Sequence, residues 1–117
     1  MLRGTNSMAD SSSRQRQLKI KTGVVRRIFK EEQSYKSESK QHEEKMQTMK
    51  DEGSDEYLMK RQNLLLQEST MMIGDCHHRL EAACESLSQL LETEKEIEDT
   101  EEYKAAAEIL KEIGFEL

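Results

Sequence analysis

The residues best equipped for chemistry are Cys76, His77 and His78, followed by the carboxylates Glu92, Glu94, Glu96, Glu98, Asp99, Glu101 and Glu102. Thiolate and imidazole bind zinc, or act as nucleophile and base, only when the side chains converge. Neighbouring residues on a helix point about 100° apart, so these three cannot meet on one ion. One turn on from Cys76 stands Leu80, which is no ligand. A seam cysteine flanked by solvent-facing histidines is what remains. The carboxylates form a run, not a pair, and catalytic carboxylates need a pocket that drives their pKa values apart. They read as a solvated acidic face or a partner surface. The sequence has no Gly-rich phosphate loop, no CxxC zinc spacing and no nucleophile elbow. No catalytic, metal or cofactor-binding residue is predicted, and the chain does not read as an enzyme.

Two other stretches suggest binding. The basic segment from Arg14 to Lys30 carries one Phe and no set of stacking aromatics, in a chain of net charge −6. That argues against nucleic acid. Its apolar face also fits a bundle seam, which argues against a membrane surface. Met71 and Met72 are more informative, because adjacent residues cannot share one face. Flexible methionines adapt to irregular partner surfaces, so binding and packing both stand open there.

Composition bounds what can hold such residues. The chain has 117 residues, 36% charged and 34% hydrophobic, with no Trp and no Pro. That is room for one small domain, too lean for a thick globular core and close to disordered composition. A narrow apolar stripe repeated over long helices is the way such a chain folds. Charge is polarised: residues 1–30 hold Arg3, Arg14, Arg16, Lys19, Lys21, Arg26, Arg27 and Lys30 against Asp10 alone. No stretch approaches the ~20 apolar residues needed to span a bilayer. Cys76 and Cys84 lie about 12 Å apart along one helix, too far to bridge within it. A reducing cytosol is the simplest compartment.

The elements follow from periodicity. Residues 1–13 are rich in Ser, Gly and Asn and lack a packing pattern; they read as a disordered leader or expression extension, with a natural start at Met8. Residues 14–117 read as a single three-helix bundle. Helix 1 is predicted over 14–50, capped by Ser12 or Ser13, with the seam Leu18, Val25, Glu32, Ser39, Met46 and Lys21, Ile28, Tyr35, His42, Met49. Its middle is polar and buries little. A turn at 51–55 makes the next helix an antiparallel neighbour, with Ser54 or Asp55 as its cap.

Helix 2, over 54–98, carries Met59, Leu66, Ile73, Leu80, Leu87 and, interleaved, Cys76, Ala83, Leu90, Ile97. A flank of Leu58, Leu65 and Met72, passing to Cys84 and Leu91, widens that seam enough to touch two partners. Gly74 is a soft point where the helix is weakened or kinked. Asp99 with Glu102 makes a capping box for helix 3 over 100–113, which ends at Gly114 with Phe115 folding back on Leu110. The fold class is all-α: an elongated antiparallel three-helix bundle, a spectrin-repeat-like coiled-coil rod.

Three blocks carry a resemblance. Leu18-Lys19-Ile20-Lys21-Thr22-Gly23-Val24-Val25-Arg26-Arg27, then Gln67-Glu68-Ser69-Thr70-Met71-Met72-Ile73-Gly74-Asp75-Cys76, then Arg79-Leu80-Glu81-Ala82-Ala83 closely resemble the tubulin-folding cofactor A family, in order and spacing. The similarity runs from about Met8 to the C-terminus. One departure is Gly74, where the family usually has Pro. The resemblance implies a cytoplasmic, cytoskeleton-associated chaperone that binds quasi-native β-tubulin monomers released from the chaperonin. It would hold them as a reservoir before handover to other tubulin-folding cofactors and α/β-tubulin assembly, and would need no cofactor. Partner-binding residues are then sought in the matching blocks: Lys19, Lys21, Arg26 and Arg27 from helix 1, and Glu68, Ser69, Met71, Met72, Asp75 and Arg79 from helix 2. Holding the bundle together is the competing role for the same block.

The alternative is a structural helical adaptor or coiled-coil oligomer without a tubulin client. Oligomeric state separates the two in part. The short third helix leaves seam residues uncovered that a second copy would bury, so a monomer or weak homodimer is expected.

Overall fold

With no Pro to remove a donor, the helices run long. The computed structural model describes residues 3–115, with side chains from Ser11 onward; Met1 and Leu2, at the start of the segment read as a leader, lie outside the described residues. The order is α1 (Arg3–Glu52), α2 (Glu56–Thr93), a 3₁₀ turn (Lys95–Ile97) and α3 (Glu101–Ile113), with no strand among the described residues. The fold is all-α, as the seam spacing requires.

Element ends depart from expectation where capping chemistry decides. α1 begins at Arg3 rather than Arg14, so Ser12 and Ser13 lie within the helix instead of capping it. At the other end Gly53 adopts φ 67°, and Ser54 N–H reaches back to Met49 C=O at 2.9 Å, closing α1 in a left-handed stop. Asp55 Oδ1 then accepts from Tyr57 N–H at 3.3 Å, so Asp55 is the cap of α2. α2 ends at Thr93, five residues short of the sequence-based boundary; the 3₁₀ turn that follows still delivers Ile97 to the core. α3 is capped by Thr100, not by Asp99: its hydroxyl donates to Ile97 C=O at 2.7 Å and accepts from Tyr103 N–H at 3.3 Å. Tyr103 therefore holds the position where a capping box needs Glu or Gln, and no box forms. The C-terminal stop is as expected, with Gly114 at φ 87° and Phe115 N–H on Leu110 C=O at 2.9 Å.

Gly74 lies inside α2, helical and exposed, with no positive φ. α2 is continuous across it. An added Cβ would meet nothing within 4 Å.

The chain divides into two compact units, one of residues 1–29 with 80–117 and one of residues 30–79. In the first, the start of α1 runs antiparallel to the end of α2. Arg14 pairs with Glu94, and Lys21 Nζ donates to Ser86 Oγ at 2.8 Å. Its core is apolar: Leu18, Val25 and Ile28 from α1, Leu80, Cys84, Leu87 and Leu91 from α2, then Ile97, Ala106, Ile109 and Leu110. Tyr103 fixes α3 by donating its hydroxyl to Leu91 C=O at 3.0 Å; burial, with the Glu98 charge nearby, pushes that phenol's pKa up.

The second unit is a hairpin of the end of α1 and the start of α2. Of the predicted seam here, Glu32, Ser39 and Cys76 are buried, while Met59, Leu66 and Ile73 are half-buried; Gln62 and Ser69, which continue the row of Cys76 and were not read as seam, are buried in their stead, so the interior is mostly polar. Gln62 Nε2 donates to His42 C=O at 3.1 Å and sits 3.1 Å from its Nδ1. Glu32 is held by His77 Nδ1 at 3.0 Å and Lys36 Nζ at 3.1 Å. Burial works to raise the Glu32 pKa, yet the hydrogen bonds from His77 and Lys36 outweigh it and hold the carboxyl below the usual range.

Candidate functional site

The first half of α2 carries two apolar rows that the hairpin does not use. Tyr57, Leu64 and Met71 are 67%, 63% and 69% exposed; Leu58, Leu65 and Met72 are 48%, 43% and 37% exposed. At about 100° per residue each row repeats every seventh position, and the two rows lie side by side. They face away from the buried Gln62, Ser69 and Cys76 by about a third of a turn. Between the rows, along the midline of the face, stand Arg61, Glu68 and Asp75, all exposed. The face runs about 22 Å from Tyr57 to Met72. At its N-terminal end a groove of about 490 Å³ opens between the helices, lined by Lys45, Met49, Ser54, Leu58, Arg61, Gln62 and Leu65. Contiguous exposed apolar surface with charges set in it makes this face a candidate for binding.

The residues predicted to bind a partner fall into three groups. Glu68, Met71, Met72 and Asp75 lie together on this face. Arg79 lies beyond its C-terminal end, where Nη1 meets Glu31 Oε2 at 3.2 Å. Ser69 points the other way: it is 4% exposed, and its hydroxyl donates to Leu66 C=O at 3.0 Å, so it serves the hairpin interior. In the first unit Lys19 and Arg26 share a groove with Thr22, Glu101, Glu102 and Ala105, and Arg27 is exposed. Lys21, half-buried on Ser86, holds α1 to α2. Tyr57 and Leu64 belong to the face but were not singled out from the sequence. The signal was there, in the spacing that links them to Met71.

Reactive chemistry finds no support in the geometry. Cys76 and Cys84 are both buried thiols. Burial, with the Glu31 charge beside it, pushes the Cys76 pKa up, away from a reactive thiolate. His77 is turned to Glu32 while His78 is exposed, so the Cys-His-His run diverges. Among the described residues no group of three His, Cys, Asp or Glu side chains could hold a metal, and no helix is long and apolar enough to cross a membrane.

Comparison with known proteins agrees with the three sequence blocks. The family described as Tubulin binding cofactor A matches residues 13–110. The chain is 55% identical over 109 residues to tubulin-specific chaperone A of Gallus gallus, spanning 93% of this chain and 99% of that one. Tubulin-folding cofactor A of Arabidopsis thaliana is 48% identical over 87 residues, 74% of each chain. Among solved structures, human tubulin chaperone cofactor A superposes with a TM-score of 0.78 at 51% identity, covering 86% of this chain and 98% of that one. By sequence and by fold, this chain belongs to the tubulin binding cofactor A family.

Proposed function

We propose that this protein is a cytoplasmic tubulin-folding cofactor that binds quasi-native β-tubulin monomers and holds them before handover to other tubulin-folding cofactors and assembly of the α/β heterodimer. The tubulin-folding role follows from family membership; β-tubulin as the client is our reading. One observation carries the mode of action: the apolar face of α2 in the second unit, with polar residues buried behind it. A chaperone for a nearly folded monomer needs such a face. Leu and Met side chains conform to an interface that has not yet met its final partner. No chemical step is involved.

Tyr57, Leu58, Leu64, Leu65, Met71 and Met72 are the contact residues, with Glu68 and Asp75 setting orientation. Lys19, Arg26 and Arg27, exposed on the first unit, attract an acidic client surface and act mainly on the association rate. The test is a native-gel shift with freshly released β-tubulin, α-tubulin serving as control. A discrete complex with β-tubulin alone is expected. The pair Leu64→Glu and Met71→Glu should weaken it at least tenfold, since two buried apolar contacts of about 1.5–3 kcal/mol are lost. Lack of any complex with folding-competent β-tubulin would overturn the reading, and an unchanged shift for the double variant would move the contact elsewhere.

A further inference from the structure

The fold sorts the sulfur atoms of this chain by exposure. The thiols, ordinarily the first sulfur groups an oxidant attacks, are shut in: Cys76 and Cys84 are each 1% exposed. A thiol reacts through its thiolate, and burial disfavours that form at Cys76. Among the described methionine side chains, Met46, Met49 and Met59 are half-buried, while Met72 is 37% and Met71 69% exposed. The helix itself keeps Met71 open. Side chains on a helix lean toward its N-terminus, so a residue is covered from three and four positions further on. For Met71 these are Gly74 and Asp75, and Gly74 has no side chain to offer. A Cβ placed there would meet nothing within 4 Å, so no other element fills the gap. Met72 has Asp75 and Cys76 in the same places and is about half as exposed.

We infer that Met71 is a reversible oxidation site, where a hydroperoxide converts the exposed thioether to methionine sulfoxide and makes the apolar face of α2 polar. A sulfur lone pair attacks the outer peroxide oxygen. The S–O bond forms as the O–O bond breaks, and sulfur gives up two electrons to the peroxide. The departing oxygen takes the proton of the transferred hydroxyl and leaves as water or an alcohol. A flexible apolar side chain becomes a polar, chiral one, in the row it shares with Tyr57 and Leu64. An apolar contact made there must afterwards desolvate the sulfoxide oxygen, which is costly without a hydrogen bond. Repair runs through methionine sulfoxide reductases, one for each sulfoxide epimer, with a dithiol going to its disulfide and the oxygen leaving as water. With both thiols buried, the chain takes oxidation at a site that can be restored. If α2 presents the client face, oxidation of Met71 turns the client away; that consequence rests on the client reading, and the site itself does not.

Graded hydrogen peroxide on the full chain, followed by peptide mass mapping, is the test. Met71 should gain oxygen about threefold or more faster than Met46, Met49 and Met59, with Met72 between, while both thiols still titrate as free. Retention on a hydrophobic-interaction resin, measured without tubulin, should fall as Met71 oxidises and return after reductase treatment. In a chain carrying Met71→Leu and Met72→Leu, retention should no longer respond to peroxide. Binding of β-tubulin, compared with each chain's own untreated affinity, should drop about tenfold on oxidation of the unaltered chain and hold in the double variant. Oxidation of either cysteine ahead of Met71, or equal rates at the methionines named, overturns the inference. So does a loss of retention that persists in the double variant, or an oxidised chain that binds β-tubulin as before. A chain that binds no β-tubulin even before treatment sinks the client reading alone, and mapping with retention still decides the site.

Discussion

The two compact units use similar residues in opposite ways. In the first, hydrophobic side chains go inside: Leu18, Val25, Leu87 and Leu110 are each 0% exposed, and among the described residues Ile20 is the large hydrophobic one left well exposed. In the second, Glu32, Ser39, Gln62 and Ser69 go inside with Cys76, while Tyr57, Leu58, Leu64, Leu65, Met71 and Met72 stay outside. Folding stability comes mainly from apolar burial, so the first unit has what stability needs. The second contributes hydrogen-bonded polar groups, each worth little net, and keeps its apolar surface for something else. A helix flank reads identically in sequence whether or not a neighbour covers it. Cys84 and Leu91 continue the flank of Leu58, Leu65 and Met72; the former pair is buried and the latter three are exposed.

The largest test of this contrast is a matched pair of truncations. Leu87→Ala in the first unit should cost about 2–5 kcal/mol, the transfer term plus a cavity. Leu64→Ala in the second, 63% exposed in the native chain, should stay within about 0.5 kcal/mol. Urea denaturation followed by circular dichroism measures both. Equal costs would mean that the α2 face is covered in the free protein, and the contrast between the units would fall.

Next in size is the buried carboxylate. Glu32 has its pKa depressed by His77 and Lys36 against the opposing effect of burial. A carboxylate held down on folding contributes stability that is present above its unfolded value of about 4.3 and lost as pH falls through the lower folded value. The second unit should therefore weaken below about pH 4. Glu32→Gln removes that acid limb and lowers stability at neutral pH by about 1–3 kcal/mol, the worth of charged hydrogen bonds to a buried group. Melting temperature from about pH 2 to 7, for both chains, reads it. Parallel profiles would show that Glu32 is not the group that titrates.

Thr22 gives the converse case in the first unit. Its hydroxyl is buried without a hydrogen-bond partner. Thr22→Val should therefore gain about 1 kcal/mol, where Gln62→Leu, which strips a bonded amide from the second unit, should lose about as much. Opposite signs in the two melting curves would confirm that polar burial is compensated in one unit and not in the other.

The seam was legible because sterics write it at spacing 3.5: Leu18, Val25, Glu32 and Ser39 are all buried, in the register read from the sequence. Polar Glu32 did not break that register, since it finds partners inside, but Gln62 and Ser69 took interior places where Met59, Leu66 and Ile73 were expected and are half-buried. Helix ends were less legible. Thr100 caps α3 in place of Asp99 because the 3₁₀ turn at Lys95–Ile97 offers its hydroxyl the Ile97 carbonyl, a partner no linear pattern displays. The exposed apolar face of α2 was half legible, in Met71 and Met72. Ser69 and Lys21 share the family-matching blocks yet point inward. A matching block names a stretch of helix; rotation about the axis decides which of its residues meet a partner.

The smallest effect compares one substitution in both units. Gly23 and Gly74 are helical, exposed, and have nothing within 4 Å of an added Cβ. Alanine at either site fits without strain and reduces the entropy of the unfolded chain, so each change should gain about 1 kcal/mol. Amide hydrogen exchange then shows where the gain goes. Gly74→Ala should slow exchange across residues 56–79, where polar burial leaves the hairpin weakest, and leave the first unit's amides nearly unchanged. Gly23→Ala should do the reverse. If either change protects both units equally, α1 and α2 open as single helices and the contrast between the units concerns composition, not cooperativity.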